Sequence, residues 1–178
     1  SGFLISSQLF AHIEHGQRIS FKRVFLKRFF RIIPAYVVVV AIYFCIPYFR
    51  ETESLPPLWK FLTFTQNFGL NLKDFRTFSH AWSLCVEEHF YLGLPLILIV
   101  FQRMKRIRHA SWLLIGLFIL TLLARYYSYI NLYFPHMEEE HGWLNWYMYI
   151  YYPTYTRLDG LLVGVSIAAI YRFLPTLW

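Results

Sequence analysis

Two short runs of the sequence place ionisable side chains inside otherwise apolar stretches. The first is His80-Ala81-Trp82-Ser83-Leu84-Cys85-Val86-Glu87-Glu88-His89-Phe90-Tyr91. At helical spacing His80, Ser83, Glu87 and Tyr91 fall on one stripe. A carboxylate in such a helix pairs with a cation, holds a proton or faces a wet cavity, and each state is a starting point for acid–base chemistry. Glu88 also fits a simpler role, an acid favoured by the dipole of the first helical turn. The second run is Thr156-Arg157-Leu158-Asp159-Gly160. Residues two apart do not face each other on a helix, so Arg157 and Asp159 need partners elsewhere, or water. Both runs open helices on the same side. Arg157 is therefore expected at the depth of Glu87, about 8 Å below the helix start. We expect Glu87, His80, Arg157 and Asp159 to form one buried polar cluster, the alternative being that Arg157 snorkels to the headgroups.

A third group lies in Arg18–Arg31, where Arg18, Lys22, Arg23, Lys27, Arg28 and Arg31 alternate with Phe21, Val24, Phe25, Phe29 and Phe30. As an amphipathic helix this segment would lie on a membrane surface. Arg28 and Arg31, one turn apart, could also grip an anionic ligand through their guanidinium forks. Arg125, near a helix end among Tyr126, Tyr127 and Tyr129, is expected to snorkel. His12, His15, His109, His136 and His141 are scattered without metal-ligand spacing, so no metal is expected.

The elements that must hold these groups are membrane helices. Of 178 residues 57% are hydrophobic and only 15% charged, which excludes a disordered chain, a collagen-like chain and an ordinary soluble domain. Cys45 and Cys85 both sit in apolar runs and make no disulfide framework or zinc spacing. Windows of about 20 apolar residues mark spanning helices at Ile33–Phe49, Ala81–Phe101, Ser111–Ile130 and Pro153–Phe173. Ser1–Phe10 is too short to span and reads as the last turns of a helix. With no secretory leader pattern in front of it, the sequence is expected to begin in mid-protein. The fold expected is an all-α, polytopic transmembrane bundle of about four full spans plus this N-terminal helix remnant.

Net charge is +7. Eleven of the seventeen basic residues fall in three regions that alternation of the helices places on one side: Arg18–Arg31, Arg103–Arg108 and Arg172. The remaining loops are near balance (Arg50–Ser79) or acidic, with Glu138, Glu139 and Glu140. By the positive-inside rule the basic side is cytoplasmic. Nucleic acid is not an expected partner, because the charge is confined to these inner loops. Pro34 and Pro153 suit first helical positions. Trp59, Trp143, Trp146, Tyr147, Tyr149, Tyr151 and Tyr152 suit an interfacial belt. Gly160 and Gly164 form a small-xxx-small face for close helix packing.

Four co-linear segments together resemble the membrane-bound acyltransferase 3 family, which acylates cell-surface glycans and related molecules. They are Ser1-Gly2-Phe3-Leu4-Ile5; Phe25-Leu26-Lys27-Arg28-Phe29-Phe30-Arg31-Ile32-Ile33-Pro34-Ala35-Tyr36, with its R-x-x-R element at Arg28 and Arg31; the His80–Tyr91 run; and Thr156-Arg157-Leu158-Asp159-Gly160-Leu161-Leu162-Val163-Gly164. His89 stands where the family usually has glutamine. The family's R/K-x10-H element belongs to a helix before the Ser-Gly-Phe segment. Arg125 and His136 share that spacing by accident, since Pro135 interrupts them.

The resemblance implies that residues 1–178 are part of a single membrane acyltransferase domain. It also implies transfer of an acyl group, commonly acetyl, from cytosolic acyl-CoA to a hydroxyl of an extracytoplasmic glycan or lipid-linked saccharide. Acyl-CoA is then a donor substrate, with no bound cofactor, and the setting is a multi-pass protein among the lipids of the cell membrane, in bacteria the inner one. Arg28 and Arg31 would bind the donor, Glu87 would tune or orient the family's histidine, and Arg157 would hold charge or stabilise an oxyanion. Trp82 and Tyr91 offer flat faces for a sugar or for packing. A transporter or proton-coupled permease using the same Glu/Arg cluster, and a non-catalytic scaffold, are the competing classes.

Overall fold

The computed structural model describes residues 1–52, 54–72, 78–104 and 110–173, and the side chains of all these except residues 80, 110 and 111. Lys73, Asp74, Arg76, Lys105, Arg106, Arg108 and His109 lie outside the described residues, as does the side chain of His80. The described chain is helical, with no strand among the described residues, which confirms the all-α class.

The helices are α1 (Gly2–Glu14), α2 (Phe21–Cys45), α3 (Leu58–Leu62), α4 (Trp82–Arg103), α5 (Ala110–Ser128), α6 (Gly142–Trp146) and α7 (Asp159–Phe173). Among the described residues three stretches are long and apolar enough to cross a membrane: Phe21–Cys45, Trp82–Arg103 and Trp112–His136, the last carrying α5 on through a π-helical turn at Tyr129–Tyr133. In the first and third, only 11% of the apolar window is buried within the protein. So much uncovered apolar surface is not sustained in water and matches a lipid environment.

Two helix starts differ from expectation. The expected span Ile33–Phe49 begins at Phe21, because Ser20 caps the helix by accepting from the Arg23 backbone N–H at 3.4 Å. The basic run is therefore the first part of a spanning helix, and Pro34 lies inside it. The expected fourth span starts at Asp159 and not at Pro153, since residues 147–157 are taken up by π and 3-10 turns. Its 15 described residues reach about 22 Å.

The helices alternate in direction as the sequence requires. Gly2 meets Leu161 and Gly164 while Glu14 pairs with Arg172 at 3.0 Å, so α1 and α7 run parallel. A Cβ at Gly164 would lie 2.7 Å from the Phe3 nitrogen, and one at Gly2 would lie 2.3 Å from the Leu161 oxygen. The close approach is thus Gly2 on Gly164. Gly160 faces open space and has no part in it. Ile5, Leu9, Phe90, Leu94, Leu98, Leu162 and Val165 fill the core between α1, α4 and α7.

A second core sits where α4 begins. Tyr36 stacks on Phe64 (ring centroids 4.6 Å) and packs on Phe78 (5.8 Å), and its hydroxyl donates to the Phe61 carbonyl at 3.0 Å. Phe64 and Phe78 adopt left-handed backbone at φ 56° and 58°, a costly state for an aromatic residue that this aromatic packing holds in place. It fixes the turn from which α4, and with it the carboxylate pair, descends.

Candidate active site

Glu87 and Glu88 lie in the second turn of α4, about 8 Å from its first residue. Arg28 is seven residues into α2. Because α2 and α4 run antiparallel, the guanidinium meets both carboxylates. Arg28 Nη2 donates to Glu87 Oε2 at 2.9 Å and Nε donates to Glu88 Oε1 at 2.8 Å. The same guanidinium lies 3.8 Å above the Tyr91 ring. Tyr91 is one helical turn below Glu87, so the cation is held on three sides. Ser1 Oγ donates to the other Glu87 oxygen at 2.7 Å.

Exposure separates the members. Arg28 and Glu88 side chains are each 12% exposed, whereas Glu87 is 33% exposed. Glu88 anchors the cation, and Glu87 is the carboxylate that an incoming molecule can reach. One guanidinium is shared by two carboxylates, and such a group can orient a neighbouring base.

A groove of about 360 Å³ lies between α1 and α2, and Arg28 and Tyr91 are among its lining residues. Arg18, Arg23, Lys27 and Arg31 give it basic side chains, and Leu4, Ile5 and Leu9 give it apolar ones. Phosphate groups suit the first set and an acyl chain the second.

Sequence reading separated Arg28 from Glu87 by assigning them to opposite membrane sides. The structure joins them. Arg28 and Arg31 are not a matched pair: Arg28 turns inward to the acids, while Arg31 stays exposed in the groove. Glu88, read as first-turn decoration, is an ion-pair partner.

The expected single cluster resolves into separate groups. Asp159 pairs with Arg125 at 2.8 Å, and Arg125 also donates to the Thr156 carbonyl through Nε at 3.1 Å and through Nη2. Arg125 therefore ties the end of α5 to the start of α7 and does not snorkel. Arg157 donates to the Tyr151 carbonyl at 3.1 Å and lies between the rings of Tyr151 (4.1 Å) and Trp82 (5.4 Å). Among the described residues it has no carboxylate partner and no contact with Glu87. The ring faces of Trp82 and Tyr91 are thus each turned to an arginine. Tyr151 and Tyr152 pack on Trp82 at 4.8 and 5.7 Å, so part of the expected aromatic belt is a packed wall. Burial pushes the Tyr152 phenol above its usual range, against the lowering effect of its hydrogen bond with Ser79, so it stays neutral there. Among the described residues no group of three metal-ligating side chains occurs.

Arg125 and Ser1 are the members that sequence reading missed. The signal for Arg125 was present, since Asp159 required a partner off its own helix. Ser1 gave none.

Residues 1–175 match the acyltransferase 3 family, described as an acyltransferase domain. The chain belongs to this acyltransferase family. The chain is 30% identical to the peptidoglycan O-acetyltransferase OatA of Listeria monocytogenes over 97% of its own length. It is also 30% identical, over the same share of its length, to a protein of Haemophilus influenzae. It spans 28% of the first relative and 71% of the second. No solved structure matches it. Within the family's motifs, the R-x-x-R and E-E elements are the ones that meet at Arg28, Glu87 and Glu88.

Proposed function

We propose that the chain is part of an integral membrane O-acyltransferase that moves an acetyl group from cytosolic acyl-CoA to a hydroxyl of an extracytoplasmic glycan or similar acceptor. The observation that carries this reading is Arg28, a lining residue of a basic groove, bridging Glu87 and Glu88. In this reading the basic loops face the cytoplasm of a bacterial inner membrane, and the protein is multi-pass. The donor's phosphates lie against Arg23, Lys27 and Arg31, and its thioester lies toward Arg28 and Tyr91. Family membership and the Listeria relative's printed activity support acyl transfer, and the charge of the groove supports an anionic donor.

The chemistry is nucleophilic substitution at the thioester carbonyl. The acceptor oxygen forms the new C–O bond, the C–S bond breaks, the hydroxyl proton passes to a base and the departing thiolate takes up a proton. In the family's pattern that base is a histidine on the helix preceding the Ser1-Gly2-Phe3 segment. Ser1 against Glu87 sets the start of this segment beside the carboxylate pair, where Glu87 orients the base. Arg28 holds the pair fixed and offers charge to the developing oxyanion.

The test is transfer of radiolabelled acetyl from acetyl-CoA by the full-length protein in membrane vesicles. Label on an external hydroxyl acceptor, lost in Glu87→Gln, supports the assignment. Solute movement without donor consumption would favour the transporter class and overturn it.

A further inference from the structure

We propose that a second cavity, between residues 68–71 and 132–155, recognises a neutral or amine-bearing saccharide as the acyl acceptor; this rests on the acyltransferase reading above. The cavity has a volume of about 530 Å³, within the range of small-molecule sites. Phe68, Tyr149 and Tyr155 supply aromatic surface. His136, Glu139 and Asn145 supply a linked polar edge. His136 Nδ1 and Glu139 Oε1 lie 2.7 Å apart. Asn145 Nδ2 donates to the His136 carbonyl at 3.4 Å and to Glu139 Oε2 at 3.5 Å.

Flat apolar rings beside a fixed carboxylate, imidazole and amide are the combination a sugar requires. Its C–H face stacks on an aromatic ring while its rim of hydroxyls donates and accepts hydrogen bonds. Charge narrows the class. Among the described residues no lysine or arginine lines the cavity, none occurs in the sequence of residues 131–152, and Glu138 and Glu140 flank Glu139. A phosphate-rich donor is repelled here, while hydroxyl and ammonium groups are welcome. Among the described lining residues the first cavity is thus basic and the second carries the Glu139 carboxylate.

Position links the cavity to the carboxylate pair. The Phe68 ring stacks on His89 at 5.3 Å, and His89 follows Glu88 on α4. His89 Nδ1 lies 2.9 Å from Thr154 Oγ1, which also accepts from Asn67 Nδ2 at 2.8 Å. One aromatic wall and one imidazole thus separate the cavity from the acids.

Saturation-transfer NMR on the full-length protein in neutral-lipid nanodiscs tests this, using di- and trisaccharides of glucose, galactose, N-acetylglucosamine and glucosamine. The wild type should bind at least one neutral or amino sugar. Tyr155→Ala should weaken that binding about tenfold, the worth of one aromatic contact. Tyr149→Phe should keep binding within about threefold, because the ring remains. Glu139→Gln should weaken amino sugars more than neutral ones. Retained acetyl-CoA binding certifies the fold of each variant. No binding to any of these sugars, or binding unchanged in Tyr155→Ala and Glu139→Gln, overturns the site. Sugar binding without acetyl transfer in the wild type would remove the acyltransferase reading and leave the sugar site standing. Transfer whose acceptor KM ignores these substitutions would do the reverse.

Discussion

Arg28 Nε donates to Glu88 Oε1 at 2.8 Å across 60 residues of sequence. With the second bond to Glu87, one planar guanidinium spans two adjacent carboxylates. A point charge on a flexible stem cannot reproduce that fork. Arg28→Lys should therefore lower kcat for acetyl transfer by about tenfold or more, while Arg28→Ala should abolish turnover. Initial rates at saturating donor and acceptor check both.

The same geometry makes a stability prediction with an internal control. Removing Arg28 leaves the poorly hydrated Glu88 carboxylate without a cation, a change that costs about 3 kcal/mol when such a group is buried. Arg28→Ala should lower the melting temperature in detergent. Adding Glu87→Gln and Glu88→Gln should recover most of the loss without recovering activity. Thermal melts and transfer assays on the same samples separate the two effects.

The groove predicts a division between binding and turnover. Lys27→Ala and Arg31→Ala change its basic lining without touching the acids. Each should raise the donor KM by about three- to tenfold and leave kcat within about twofold, and the effect should fade as salt rises. Steady-state kinetics at two ionic strengths give the readout.

Glycine substitutions separate close packing from open space. Gly164→Ala forces a methyl to 2.7 Å from the Phe3 nitrogen, so α1 and α7 must part. It should destabilise by about 1–3 kcal/mol. Gly160→Ala meets nothing within 4 Å and should be neutral or slightly stabilising in the helix. Melting curves of the two variants decide it.

Much of the architecture was legible in the sequence. Hydrophobic run lengths located the long helices, and the bias of Arg and Lys set their alternation, which the parallel α1–α7 pair and the antiparallel α2–α4 pair reproduce. The helix starts were harder. Pro34 invited a start beside it, but Ser20 offered a cap thirteen residues earlier and the membrane helix tolerates the interior proline. The site was legible only as a set of residue types. Assigning depth from loop side put Arg28 and Glu87 at opposite faces, because depth along one helix says nothing of how far its neighbour is displaced along the bundle. Asp159 was correctly read as needing a distant partner, yet the partner was Arg125, hidden by the ease with which a tyrosine-flanked arginine reads as a headgroup anchor.

The central claim is that the Arg28–Glu87–Glu88 group works on the acyl group beside a donor groove that Arg28 lines. Its most direct measurement is single-turnover acetyl transfer by the full-length protein in vesicles, loaded with saturating radiolabelled acetyl-CoA, comparing wild type with Glu87→Gln. We predict retained donor binding and a transfer rate reduced by about a hundredfold or more. Equal rates in the two proteins would contradict it.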